Sequence, residues 1–127
     1  MIVLDASVLI AHLGATDALH DRAVELLVDA ADDELGASPL TLAEVYVGPA
    51  RAGKLARAQR AIHDLGVTAV SLGDDAPERL ATLRSTTGLR LPDCCVLYAV
   101  EAAAAEIATF DDRLKSAAKR LRLPIRG

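Results

Sequence analysis

Four acidic residues stand where an apolar run hands over to a helix, or just inside that helix. Asp5 follows Ile2-Val3-Leu4, and Glu44 follows Ser38-Pro39-Leu40-Thr41-Leu42-Ala43. Asp93 follows Leu91-Pro92, and Asp111 closes Ile107-Ala108-Thr109-Phe110. In open α/β sheets, ligands gather beyond the carboxyl ends of the strands, where strand order reverses. Carboxylates converging there repel one another unless a divalent cation holds them. Such an ion makes a bound water nucleophilic and steadies a leaving oxygen, which points to metal-dependent phosphoryl transfer. Each acid alone is open to a plainer reading, since an acid in a helix's first turn complements the helix dipole. Asp5 has the least capping to do, and four independent caps would not repeat one strand-end placement.

The elements that must position these acids follow from hydrophobic period. Short strands alternate with helices, the pattern of a parallel α/β sheet. Strands are expected at 2–5, 35–38, 67–71, 106–109 and 123–126. The first helix spans Ala6 to Leu13 and stops at Gly14; the second runs from about Ala18 to Ala31 after a Thr16/Asp17 cap. Ser38 and Pro39 suit the N-cap and first position of the third helix, and Gly48-Pro49 should bend or break it. The fourth follows Gly53, turns Leu55, Ile62 and Leu65 inward and ends at Gly66. A fifth lies near 76–86, stopped by Gly88. The sixth runs from Pro92 to about Ala105 with Cys94, Leu97, Tyr98 and Glu101 on one face. The seventh covers Asp112 to Leu121. Asp17, Asp21, Glu25 and Asp29 recur every four residues as a solvated acidic ridge. No repeat, linker or low-complexity segment interrupts one domain over residues 1–127.

These motifs carry a family resemblance. Ile2-Val3-Leu4-Asp5-Ala6-Ser7 resembles the opening of PIN-domain nucleases, a hydrophobic strand and then Asp-x-Ser/Thr. Ser38 to Val45 resembles their second motif, and Leu91-Pro92-Asp93-Cys94 is similar to the Leu-Pro-Asp-Ala stretch that brings the third acid. Ala108-Thr109-Phe110-Asp111-Asp112-Arg113-Leu114 resembles the Thr-x-Asp motif of the fourth. Each match is weak alone, but together they come in family order over residues 2–114. The short single-domain form resembles VapC, the toxin of VapBC toxin–antitoxin pairs. That resemblance implies an α/β PIN domain, a central parallel sheet of about five strands flanked by about seven helices. It also implies a Mg²⁺-dependent endoribonuclease (Mn²⁺ being an alternative ion) that inhibits translation, a VapB-like antitoxin partner and a homodimer. Asp5 and Asp93 would ligate the metal directly; Glu44 and Asp111 would bind a second ion, hold waters or orient the nucleophile. Asp112 is a substitute for Asp111 at the wrong spacing from Thr109. Ser7 and Thr109 suit fixing a carboxylate or a metal water, and equally suit local backbone capping. Cys94-Cys95 departs from the small or aliphatic residues usual there, which bears on packing rather than chemistry.

Composition bounds these readings. The 127 residues, 52% hydrophobic, exclude disorder and allow a single core. No apolar run reaches the roughly 18–20 residues that span a bilayer, and a strand starting at Ile2 leaves no room for a signal peptide. Adjacent cysteines on a helix disfavour a mutual disulfide, and no zinc spacing exists; a reducing cytoplasm fits. The net charge of −4 includes the four candidate ligands, without which acids and bases balance at 14 each. Basic residues cluster as Arg51, Lys54, Arg57 and Arg60, and again as Arg113, Lys115, Lys119, Arg120, Arg122 and Arg126, with no acid in 51–60 or 113–127. Such tracts neutralise phosphates or form solvated helix faces, and Arg51, Lys54, Arg113 and Lys115 are the candidates for RNA contact. With Tyr46, Tyr98 and Phe110 the only aromatics, base stacking contributes little.

Other chemistries fare worse. His12, His20 and His63 fall on helices away from the acids, no Ser or Cys has a credible base, and no glycine-rich phosphate loop is present. A dehalogenase-like phosphatase needs an acid where Ser7 stands, and a receiver domain needs an acidic pair and a late lysine. The remaining alternatives are a non-toxin PIN nuclease of RNA processing and a non-catalytic PIN-fold binding module, which a missing acid would favour. Antitoxin docking is expected along Val8, Leu9, His12 and Leu13 with Val24, Leu27 and Val28. Dimer contacts are expected at Val45, Tyr46, Val47, Leu55, Leu80 and Leu83.

Overall fold

A computed structural model describes all 127 residues. The strands are β1 (Ile2–Leu4), β2 (Leu35–Ala37), β3 (Val67–Ala69) and β4 (Glu106–Ala108). The helices are α1 (Ala6–Leu13), α2 (His20–Asp29), α3 (Pro39–Arg51), α4 (Leu55–Asp64), α5 (Ala76–Thr87), α6 (Leu91–Ala102) and α7 (Asp112–Arg120). All strand pairs are parallel and the sheet order is β3-β2-β1-β4. The chain therefore winds outward from β1 through β2 to β3, then crosses back to lay β4 on the other side of β1. Strand order reverses between β1 and β4, and their carboxyl ends open the crevice that such sheets use for ligands.

Period-two alternation divides the core into two layers. Val3 and Ile107 face α5, α6 and α7, while Ile2, Leu4, Leu35, Ala37 and Ala108 face α1 to α4. Gly36 sits between these sets because a Cβ there would meet Met1 Sδ and Val70 Cγ2, each at 2.9 Å. Helix α6 is buried on every side from Cys94 to Val100, rather than along the single expected face. A helix apolar all round belongs in an interior, and only its ends emerge, with Glu101 gripped by Arg79 at 2.9 Å. Cys94 and Cys95 are free thiols inside this helix, and burial raises the pKa of both.

Local chemistry sets the boundaries. Asp5 is the N-cap of α1 and Gly14 ends it; Ser38 caps α3 by accepting from the Leu40 amide at 3.2 Å, with Pro39 next. Gly88, at φ 72°, closes α5 in the left-handed cap that glycine adopts without strain. Four expectations need correction. The fifth strand, 123–126, shrinks to one bridge between Ile107 and Ile125, because Pro124 has no amide to donate and Arg122 turns at φ 58°. Helix α3 does not break at Gly48-Pro49; the Ala52 amide rejoins Gly48 O at 3.1 Å and the helix runs to Arg51. Leu55 is exposed at the head of α4 instead of facing inward. Helix α2 is trimmed to His20–Asp29, with the Asp17 carboxylate taking the Leu19 amide in the preceding turn at 2.8 Å.

Surplus apolar surface also goes elsewhere than expected. Val8, Leu9 and Leu27 fill the layer under α1 and α2, and Val45 and Leu83 are core residues too. Tyr46 and Leu80 are half-buried against the same layers. Ile10, Val24, Val28, Val47 and Leu55 remain exposed.

Candidate active site

The reversal point gathers what the sequence had scattered. The Asp5 amide still donates to Ala108 O at 3.0 Å, so the β1–β4 ladder ends at the first acid itself. The Asp5 side chain is only 6% exposed. Its Oδ1 accepts from the Ala6 amide at 2.7 Å, and its Oδ2 accepts from Ser7 Oγ at 2.8 Å and Thr109 Oγ1 at 2.7 Å. Both hydroxyls are spent as donors and then accept in turn. Ser7 Oγ takes the Phe110 amide at 3.0 Å, and Thr109 Oγ1 takes the Asp111 amide at 2.9 Å. Two short side chains thus fix the rotamer of Asp5 and pin the turn after β4 to α1.

Asp111 caps α7, its Oδ1 accepting from the Arg113 amide at 2.9 Å and the Leu114 amide at 3.3 Å. Its Oδ2 has no protein donor, so capping leaves one oxygen for another role. Glu44, in the second turn of α3, and Asp93, in the first turn of α6, are held differently. No hydrogen bond reaches either carboxylate, and the Asp93 side chain is only 16% exposed. Burial pushes the Asp93 carboxyl above its usual range; Asp5 and Asp111 add to this, while Arg90 and Arg113 oppose it. Burial also raises the Glu44 carboxyl, with Asp93 and Asp5 pushing the same way and Arg90 against. Glu44, Asp93, Asp5 and Asp111 therefore share one electrostatic neighbourhood, contributed by four separate elements. Asp112 is not among the charges acting on these acids, and it faces a cavity beside α7.

The donor set fits a hard divalent cation. It is all oxygen, and two half-buried carboxylates in it lack any donor and are destabilised as anions by their neighbours. No three His, Cys, Asp or Glu side chains stand close enough to cage an ion unaided. Mg²⁺ keeps several of its waters and takes one or two carboxylates directly, so a closed cage is not what it requires. Arg90 was not singled out by the sequence, yet its Nε lies 4.0 Å from Asp93 Oδ2. The available signal was its i,i+3 spacing to Asp93 across the head of α6. Among the RNA-contact candidates, Arg113 acts on Asp93, whereas Arg51 is seven residues, about 10 Å of helix, beyond Glu44. Lys54 lines a separate cavity with Leu13, Pro49 and Arg57, and Lys115 is half-buried on another side of α7.

A second concavity, of about 310 Å³, lies between α1 and α3, with Ile10, Leu13, Val45, Gly48 and Pro49 in its walls and Glu44 among them. Of the α1–α2 groove expected from the sequence, Val8, Leu9 and Leu27 are core while Val24 and Val28 stay exposed.

Comparison with known proteins agrees with this picture. The PIN domain family model matches residues 2–120. No curated protein sequence matches the chain significantly. Its fold is shared with a toxin–antitoxin complex from Klebsiella pneumoniae (24% identity, 87% of each chain, TM-score 0.70). It is shared likewise with the sarcin–ricin loop cleaving toxin VapC20 of Mycobacterium tuberculosis (17% identity, 92% of this chain and 95% of that one, TM-score 0.68). FitAcB from Neisseria gonorrhoeae aligns over 100% of this chain and 97% of its own at 20% identity, TM-score 0.72. With the family match running from the first strand to the end of the last helix, this chain belongs to the PIN domain family.

Proposed function

We propose that the chain is a Mg²⁺-dependent endoribonuclease of the VapC type, the toxin of a toxin–antitoxin pair, which inhibits translation by cutting RNA. The observation that carries this is the pair Glu44 and Asp93: half-buried carboxylates with no donor, raised in pKa, beside a third carboxylate that Ser7 and Thr109 hold fixed. Asp5 and Asp93 would hold the ion, with Glu44 and Asp111 taking its waters or a second ion. Bound there, Mg²⁺ or Mn²⁺ supplies an acidified water and neutralises charge at the leaving oxygen. Glu44, a half-buried carboxylate with no hydrogen-bond donor, would orient that water and accept its proton. Arg90 and Arg113 flank the acids and would draw the RNA backbone in against an acidic surface. Asp111 serves two ends at once, one oxygen capping α7 and the other left without a protein donor. The similarity to proteins described as a toxin–antitoxin complex and a sarcin–ricin loop cleaving toxin supports the toxin reading.

An antitoxin fits the α1–α3 concavity. Ile10 is 45% exposed beside it, and a Cβ on Gly48 would meet nothing within 4 Å. A partner helix laying apolar side chains there brings a basic residue within reach of Glu44, blocking the site by charge. Expression in a bacterial host tests both parts. Wild type should arrest growth and Asp5→Ala should not; co-expression of a cognate antitoxin should relieve the arrest, and Ile10→Glu should prevent that relief. Growth arrest by Asp5→Ala equal to wild type would count against the nuclease.

A further inference from the structure

Helix α7 presents a cation-lined cavity of about 270 Å³ on the flank of the acidic centre, walled by Thr87, Leu89, Asp112, Arg113, Ser116 and Arg120. Arg113, Ser116 and Arg120 fall at i, i+3 and i+7, within about 60° of one another around the helix. Neither guanidinium has an acidic partner within 4.0 Å, unlike Arg79, Arg90 and Arg126, which all do. The Ser116 hydroxyl makes no hydrogen bond, whereas Thr87 is already spent on Leu83 O at 2.7 Å and the Leu89 amide at 3.2 Å. Behind the wall, Arg84 donates to Leu89 O at 2.7 Å, adding a third positive charge against the single carboxylate of Asp112. The cavity adjoins the candidate active site, because Arg113 also acts on Asp93.

Accepting the ribonuclease reading, on which this rests, we propose that the cavity is a backbone subsite. Arg113, Ser116 and Arg120 hold a phosphodiester of the RNA strand neighbouring the one that is cut. Two guanidiniums with a hydroxyl between them along the helix match the two non-bridging oxygens of a phosphodiester. The subsite reads no base, so it sets affinity and register rather than sequence. Lys115 and Lys119 carry the same charge but turn about 200° and 240° from Arg113, so the subsite excludes them although they belong to the same basic tract. Asp112 then acts as a weak repellent on the bound strand rather than as a fourth metal acid.

The test measures binding of a short single-stranded RNA of mixed sequence by fluorescence anisotropy against salt, with Asp93→Asn in every protein to prevent cutting. Each single-strand phosphate contact contributes about 0.7 to the slope of log K against log salt. Because both guanidiniums share one phosphate, Arg113→Gln combined with Arg120→Gln should lower that slope by about 0.7, and each alone should lower it by part of that. Lys119→Gln should leave it unchanged, and Asp112→Asn should tighten binding. All four positions are exposed on one helix, and matched thermal midpoints verify folding. An unchanged slope for Arg120→Gln, or an equal loss for Lys119→Gln, overturns the subsite. If the protein otherwise unaltered still cuts RNA with Mg²⁺, the ribonuclease reading survives that result; if it neither binds nor cuts RNA, both fall together.

Discussion

Thr109→Val isolates the hydrogen bonds that hold Asp5 in place. Valine keeps the shape of threonine and removes the hydroxyl, which donates to Asp5 Oδ2 at 2.7 Å and accepts from the Asp111 amide at 2.9 Å. A hydrogen bond to a charged group contributes about 1.5–3 kcal/mol, and the lower end applies because Ser7 still reaches the same oxygen. Leaving the Asp111 amide unpaired costs about 1–3 kcal/mol when fully buried, and it is only partly so here. The sum is about 2–3 kcal/mol, a substantial part of the roughly 5–15 kcal/mol that holds a domain together. Urea unfolding followed by circular dichroism reads it directly, and the thermal midpoint should fall by roughly 10 °C. Thr109→Ser should restore most of the loss. Because Ser7 and Thr109 share an acceptor, Ser7→Ala added to Thr109→Val should be non-additive. Cleavage at a temperature where every variant is folded should fall for Thr109→Val and recover for Thr109→Ser. Stability within about 0.5 kcal/mol of wild type would refute the coupling of the two loops through this hydroxyl.

Acid should stabilise the metal-free protein. Glu44 and Asp93 have raised pKa values, so the folded state binds protons more tightly, and that stability is full below about pH 4 and fades as pH rises through the raised values. Thermal midpoints taken across pH in EDTA should show the decline, and Asp93→Asn should flatten it. Added Mg²⁺ should raise the midpoint most at the upper end of that window, where the carboxylates are free to bind, and should not do so for Asp5→Ala. Gly36→Ala should cost about 1–3 kcal/mol by forcing Val70 and Met1 aside, as urea unfolding will read. Light scattering should find a homodimer of twice 13.3 kDa that Val47→Glu or Leu55→Glu dissociates, since these two remain exposed among the expected contact residues; a 13.3 kDa species for the wild type contradicts it.

The chain discloses its helices wherever a punctuating residue has a single mechanical job. Gly14 ends α1, Ser38-Pro39 opens α3 and Gly88 closes α5, each as local sequence alone determines, whereas Asp5, expected to have the least capping to do, is the N-cap of α1. What depends on distant partners was not legible. The residues of 123–126 look like a strand, and Ile107 does pair with them through Pro124 O and the Arg126 amide, but Pro124 has no amide of its own to carry the ladder further. Val45 and Leu83 are apolar positions on amphipathic helices, and only the packing of both sheet faces shows them to be core rather than interface. The acids were legible because strand ends are marked in sequence. The clip between Ser7 and Thr109, 102 residues apart, follows from β4 lying beside β1, an order that periodicity cannot supply. Arg90 escaped notice because a charge beside a motif gains meaning only when α6 brings it to the acids.

The central claim is that Glu44 and Asp93 remain uncompensated by protein donors because they serve a divalent ion and a phosphodiester. Wild type and Asp93→Asn, purified identically, should be incubated with RNA in Mg²⁺ and in excess EDTA. Wild type should cleave in Mg²⁺ alone, and Asp93→Asn should not cleave despite an equal or higher thermal midpoint. Equal cleavage by Asp93→Asn, or full wild-type activity in EDTA, would contradict it.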